Sequence, residues 1–227
     1  NWLSQGTVDW IPANTSASNF ILDTATFTNQ GTLLLQNINA GSFVDIVGTS
    51  SLVNDVTGVI NASPTTDLVI LVPVTNNATT GSFNQLSGLT RLNSTGNTNQ
   101  GNINLAAGTT LQIISGNSLS LNAGTDFSGS TGTLGISGGT VDVSSPLDLS
   151  AIAMTLNLNG GGTITNVQNL TIPDTFNFTA GSIIGDGVGT FTTLASSTTL
   201  LDDVLVQDVN WLSQGTVDWI PANTSAS

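Results

Sequence analysis

The feature that most limits the fold of this chain is a rhythm of paired apolar residues at alternate positions. Ile103/Leu105, Leu111/Ile113, Leu119/Leu121, Leu134/Ile136, Val141/Val143, Leu147/Leu149, Leu156/Leu158, Leu170/Ile172 and Phe176/Phe178 all follow it. A period of two places both members of a pair on one face of a β-strand. Gly, Asn, Ser and Asp fill the intervals, and these residues enter tight turns at low cost. From Ile103 to Ile183 the pairs recur about every 7.3 residues, too closely for a helix to connect parallel strands. Helix formation is disfavoured in any case, because the chain has no Glu or Lys, carries 25 Gly and is rich in β-branched Thr and Val. Short helical turns are conceivable only near Asn84–Leu89 and Ala151–Met154.

Two all-β architectures fit that rhythm. A meander or sandwich needs hairpin turns between consecutive strands, yet Asn159-Gly160, Asp186-Gly187 and Gly116-Asn117 are too few for about twenty-five strands. A winding chain needs none, because each short strand pairs with its equivalent one coil later. The expectation is therefore an all-β, right-handed parallel β-helix (β-solenoid) with three strands per coil and about 22 residues per coil. Stacking then lines up like residues, apolar inside and Asn or Thr at the turns. Columns of like charge about 4.8 Å apart would repel, which accounts for the scarcity of Lys, Arg and Glu. The stretch Asn54–Thr80, with Pro64, Pro73 and Asn76-Asn77, reads as either a protrusion or a mispaired coil.

Residues 1–18, NWLSQGTVDWIPANTSAS, recur unchanged as residues 210–227. The division that follows is 1–209 as one solenoid repeat unit and 210–227 as the first segment of the next identical unit. A unit of that length holds nine or ten coils and extends on the order of 45 Å. The rival reading is an engineered self-complementing strand of the donor-strand kind, although no linker separates Val209 from Asn210. All four Trp (Trp2, Trp10, Trp211 and Trp219) fall in the duplicated segment. They are candidates for a unit junction, where wide coil interiors accept aromatic plugs; a glycan-stacking platform is the functional alternative.

Composition closes off most chemistry. The 14 acids are all Asp, Arg91 is the only base, the net charge is −13, and His, Cys and Tyr are absent. Disulfide scaffolds, Cys/His metal sites, Ser–His machinery and an electrostatic nucleic-acid footprint are excluded. No catalytic residue, metal ligand or cofactor is expected, and the chain reads as a non-enzyme. Asp202-Asp203 with Asp208 is the densest acid group and is read as a solvated loop in preference to a Ca²⁺ site. Gly185–Gly189 resembles a calcium-binding nonapeptide but occurs once, so it is read as a turn. Asp142 and Asp148 lie on neighbouring strands, and with Arg91 they are the best residues available to a carbohydrate-active enzyme, which needs them in one groove. Thr-x-Thr pairs such as Thr131/Thr133 and Thr163/Thr165 are not spaced by one coil, so no regular array is expected of them. The longest apolar run, Leu68–Val74, is broken by Pro73 and too short to span a bilayer. The start at Asn1 suggests a mature product or an excised piece, and secretion is inferred from composition.

The phrases SQGTVDW (213–219), TNQGTLLL (28–35), TNQGNINL (98–105) and GGTVDV (138–143) share one form: small or polar residues, a Gly, then an alternating strand. In this the chain resembles repeats of large bacterial surface proteins with right-handed parallel β-helices, of the filamentous-haemagglutinin-like and autotransporter-adhesin type. The resemblance covers most of residues 19–209. It implies an extracellular structural repeat of a surface filament, stalk or adhesin, acting as a rigid rod, and it transfers no binding residues. Adjacent copies joined end to end are the expected partners, with cell-surface glycans as a second class. A fibre assembled by donor-strand exchange and a β-helical carbohydrate-active enzyme are the alternatives.

Overall fold

The computed structural model describes residues 1–11, 18–37, 44–77, 80–195, 198–201 and 203–219. These residues form 27 strands and no helix. The chain is a β-solenoid: its strands lie in three sheets of twelve, five and ten strands, and the pairings between strands are parallel. In the first five coils the chain lays down one strand on each of three sides. The first coil contributes Trp2–Ser4 to the first side, Thr7–Trp10 to the second and Ser18–Leu22 to the third. The next contributes Phe27–Asn29, Thr32–Asn37 and Val44–Gly48. On the ten-stranded third side, nine register steps carry Ser18 to Val217, about 22 residues a step.

The alternating pairs form the core. Leu111 and Ile113, Leu134 and Ile136, Leu156 and Leu158, and Phe176 and Phe178 are all buried, stacked in register along the third side. One continuous apolar cluster runs from Leu22 to Leu201. No single coil encloses this core; water is excluded because each apolar column is covered by the coil above and the coil below, at roughly 25 cal/mol per Å².

The stretch around Pro64 and Pro73 is neither a protrusion nor a mispaired coil. It is an ordinary coil with strands Val59–Pro64, Asp67–Ile70 and Val74–Asn76. Pro64 ends its strand and Pro73 sits in a turn, where a missing N–H breaks no ladder. The two candidate helical turns are also resolved otherwise. Ser82–Gln85 and Leu89–Leu92 are strands, and near Ala151 the Ile152 N–H donates to the Leu149 carbonyl in a single turn.

The corner between first and second sides divides the molecule in two. In coils two to five it is occupied by Asn29, Asn54, Asn76 and Asn99, all buried and in register. The first three amides each donate to the next one up, at 2.9, 2.8 and 2.6 Å, and the ladder also donates to corner carbonyls such as those of Gly31, Gly58 and Gly101. Above Asn99 the register position passes to Leu121. The coil of Leu121 still turns tightly, Thr125 N–H donating to the Asn122 carbonyl, and two coils further on Gly162–Thr171 and then Gly181–Thr193 each run through both sides as one long strand. Their mutual register shifts between Ile164 and Val167 and again between Val167 and Asn169.

Candidate functional site at the two ends of the solenoid

The duplicated segment opens and closes the described solenoid, so identical residues are seen in two settings. At the start, Trp2–Ser4 pairs with Phe27–Asn29 on the first side and Thr7–Trp10 pairs with Thr32–Leu35 on the five-stranded second side. At the end, Asn210–Ser213 pairs with residues 190–193 of the long strand, and Thr216–Trp219 pairs with Thr198–Leu201 on the ten-stranded third side. The first side of this last coil is taken by Val204–Gln207, paired with residues 181–184. The second copy therefore sits one side further round than the first. Local structure is nonetheless kept: Ser4 Oγ donates to the Gly6 carbonyl at 3.4 Å, and Ser213 Oγ to the Gly215 carbonyl at 3.4 Å.

Both ends of the described solenoid are aromatic. Trp2 packs edge-on against Phe27, ring centroids 5.2 Å apart, and Phe27 meets Phe20, which meets Trp10. At the far end Trp211 packs on Phe191 at 6.0 Å, Phe191 on Phe176 and Phe176 on Phe178. Trp2 remains 54 % exposed although its register neighbours Phe27 and Leu52 are fully buried. Trp211 is half-buried; its indole Nε1 is buried with no hydrogen-bond partner among the described residues. Beside it is an open depression lined by Leu201, Asp203, Val204, Val206 and Trp211. Trp219 ends the last described strand.

The remaining candidates do not converge. Asp202 lies outside the described residues. Asp203 and Asp208 flank the strand Val204–Gln207 with positive φ values of 48° and 52°, as turn residues do, and no group of three potential metal ligands occurs among the described residues. Residues 186–189 loop out of the long strand, Val167 pairing with Gly185 and Asn169 with Thr190. The N–H groups of Val188 and Gly189 donate to Asp186 Oδ1, and they hold its carboxyl below the ordinary range. Asp55 is likewise lowered, chiefly by the amide of Gln30 donating to it at 2.8 Å. Asp142 accepts from Asn166 Nδ2 and Asp148 from its neighbour Ser150 N–H, both in the twelve-stranded sheet. Arg91 is on the ten-stranded sheet, bonded to Asp67 at 2.6 Å.

One array escaped the sequence reading. Thr110, Thr133, Thr155, Thr175, Thr198 and Thr216 occupy a single register column of the third side. The search for Thr-x-Thr pairs missed it. The signal that finds it is a Thr directly before each alternating pair: TLQI, TLGI, TLNL, TFNF, TTLL and TVDW. Amide ladders run beside it and on the second side, from Asn177 to Asn157 and from Asn104 through Asn84 to Asn61.

No protein-family model, curated protein or solved structure matches this chain. Among the described residues no helix is long and apolar enough to cross a membrane.

Proposed function

We propose that this chain is a structural repeat of an extracellular bacterial surface filament, stalk or adhesin, and that it acts as a rigid rod. The observation that carries the reading is the duplicated segment: the same residues open and close the solenoid, and each end leaves an apolar coil half covered. A continuing chain would cover both ends without a cap, as repeat arrays do. Stiffness along such a rod comes from main-chain hydrogen bonds parallel to its axis, reinforced by side-chain ladders of Asn and Gln. The scarcity of charge suits stacked columns, and the one Arg is placed against an opposite charge, Asp67, on the neighbouring coil. The surface setting is supported by the form of the Gly-Thr and Gly-Asn phrases and by a polar exterior of Asn, Ser and Thr.

The test is the mass of the intact polypeptide in its native source. A single chain many units long supports the reading. A free chain of one unit overturns it and leaves assembly by strand exchange, in which the segment 210–227 stands for a neighbour's strand.

A further inference from the structure

We infer that successive units of the array are related by a screw: each 209-residue unit advances nine coils and one side, so its neighbour is turned by about a third of a revolution. The inference rests on the tandem reading and adds the geometry of the joint. Its basis is that Thr7–Trp10 lies on the second side and its copy Thr216–Trp219 on the third. A copy that had returned to the same side would require a whole number of coils per unit, and the strand order rules that out. At about 4.8 Å per coil the rise is about 45 Å per unit, and the same side faces the same way again only after three units, about 135 Å.

The pairings in hand also specify what covers the open end. Trp2 pairs with Phe27, so Trp211, its copy, receives the next unit's Phe27 on the face opposite Phe191. The two aromatic groups then join into one seam across the joint, from Phe178 through Trp211 to the next unit's Phe20. Trp2, exposed at a free start, would be closed in by the same packing. The Thr column behaves in the same way. Thr216 ends the column on the third side, and Thr7 pairs with Thr32, so the next unit's Thr32 extends the column past the joint. Because each unit is turned by one side, these Thr stripes step round the rod, and every direction is met by a stripe within three units. The occupant of each end is thus a further copy of this chain, covalently continuous and rotated.

Two experiments separate this geometry from the tandem reading. In the 227-residue chain, which has no Cys, the double variant Thr192→Cys/Leu212→Cys should form a disulfide on mild oxidation, because these residues are register partners. Ile184→Cys/Leu212→Cys should not. The reverse pattern places the second copy on the side of the first and overturns the screw. In a chain of three tandem units, Val188→Cys in each unit offers a thiol on a 79 % exposed position for gold labelling. Electron micrographs should show three labels about 45 Å apart and pointing in three directions. Labels all on one edge of the rod overturn the inference. A native polypeptide of single-unit mass would defeat the tandem reading and leave both of these results standing.

Discussion

The lower coils and the upper coils of this solenoid bury the same kind of apolar pair, yet they turn the corner between first and second sides differently. In the lower coils a buried Asn at each level ties the corner carbonyls and its neighbours together, and the two sides remain separate sheets. In the upper coils Leu121 replaces the amide, and by the eighth coil the strands run through, 10 and 13 residues long. The corner carbonyls of Gly31, Gly58 and Gly101 each accept a main-chain N–H from the next coil, and the Asn amide adds a second donor from inside the corner. An apolar residue adds no such donor: the coil of Leu121 still turns tightly, Thr125 N–H donating to the Asn122 carbonyl, and from Gly162 onward the chain runs through the corner and pairs along the sheet. The polar ladder and the separate second sheet coincide in the lower coils, while the buried apolar pairs are common to both halves.

The largest effect is expected where the upper coils compensate for the missing ladder with aromatic packing. Phe176 touches both Phe178 and Phe191 and is fully buried. Phe176→Ala should cost about 3–5 kcal/mol, measured by denaturant unfolding, since it leaves a void shared by two coils. A loss below about 1 kcal/mol would show that the upper coils collapse around the gap, and so are less tightly packed than the ring contacts imply.

Next comes the ladder. Asn54→Leu removes the donor to Asn76 Oδ1 and to the carbonyls of Gly58 and Ser82. The expected cost is about 2–3 kcal/mol, with amide exchange quickened in the lower coils and unchanged above Leu121. If exchange quickened equally in both halves, the ladder would not be the local determinant argued for it. The lower end of the ladder offers a natural comparison: Ser4 takes the position below Asn29, donates to Gly6, and leaves Asn29 Oδ1 buried and unpaired.

A smaller effect tests the corner glycines. Gly6 and Gly31 occupy equivalent turns, Ser-Gln-Gly-Thr and Asn-Gln-Gly-Thr, but only Gly31 has a coil beneath it. A Cβ at Gly31 would strike the Gly6 carbonyl, whereas one at Gly6 meets nothing within 4 Å. Gly31→Ala should cost about 1–2 kcal/mol and Gly6→Ala less than about 0.5 kcal/mol in this chain, by thermal unfolding. Equal costs would mean that the turn's own conformation, and not stacking, demands glycine.

Most of the fold was legible because one side of each strand is written in apolar pairs, and Leu111/Ile113 or Phe176/Phe178 need no context to be placed inward. The corner was not legible. Asn29, Asn54, Asn76 and Asn99 are four among many Asn, and nothing local distinguishes a buried amide from a turn residue until the coils are in register. The Thr column was hidden for a related reason, since the coil length drifts from 18 to 23 residues along Thr110–Thr216 and no fixed period exposes it. The phase of the second copy was out of reach too. Dividing 209 by about 22 leaves a fraction that only the strand order resolves.

The smallest expected effect is that of pH, and it falls on both halves. Among the described residues, Asp55 in the lower coils and Asp186 in the upper are the carboxyls held below the ordinary value of 3.8, the first mainly by Gln30 and the second by the N–H groups of Val188 and Gly189. A carboxyl whose folded pKa is depressed adds stability that is fully present above its unfolded pKa and is lost as pH falls through the folded value. Stability should therefore be level from about pH 5 to pH 9, where no side chain of this composition ordinarily titrates, and should decline only below about pH 4. Asp186 is exposed and Asp55 half-buried, so the decline should be shallow, and Asp55→Asn or Asp186→Asn should each remove part of it. A thermal unfolding series that fell steeply between pH 7 and pH 5 would contradict this. It would mean that acids other than these two are coupled to folding, and that charge plays a larger part in the stacked coils than the placement of Arg91 against Asp67 suggests.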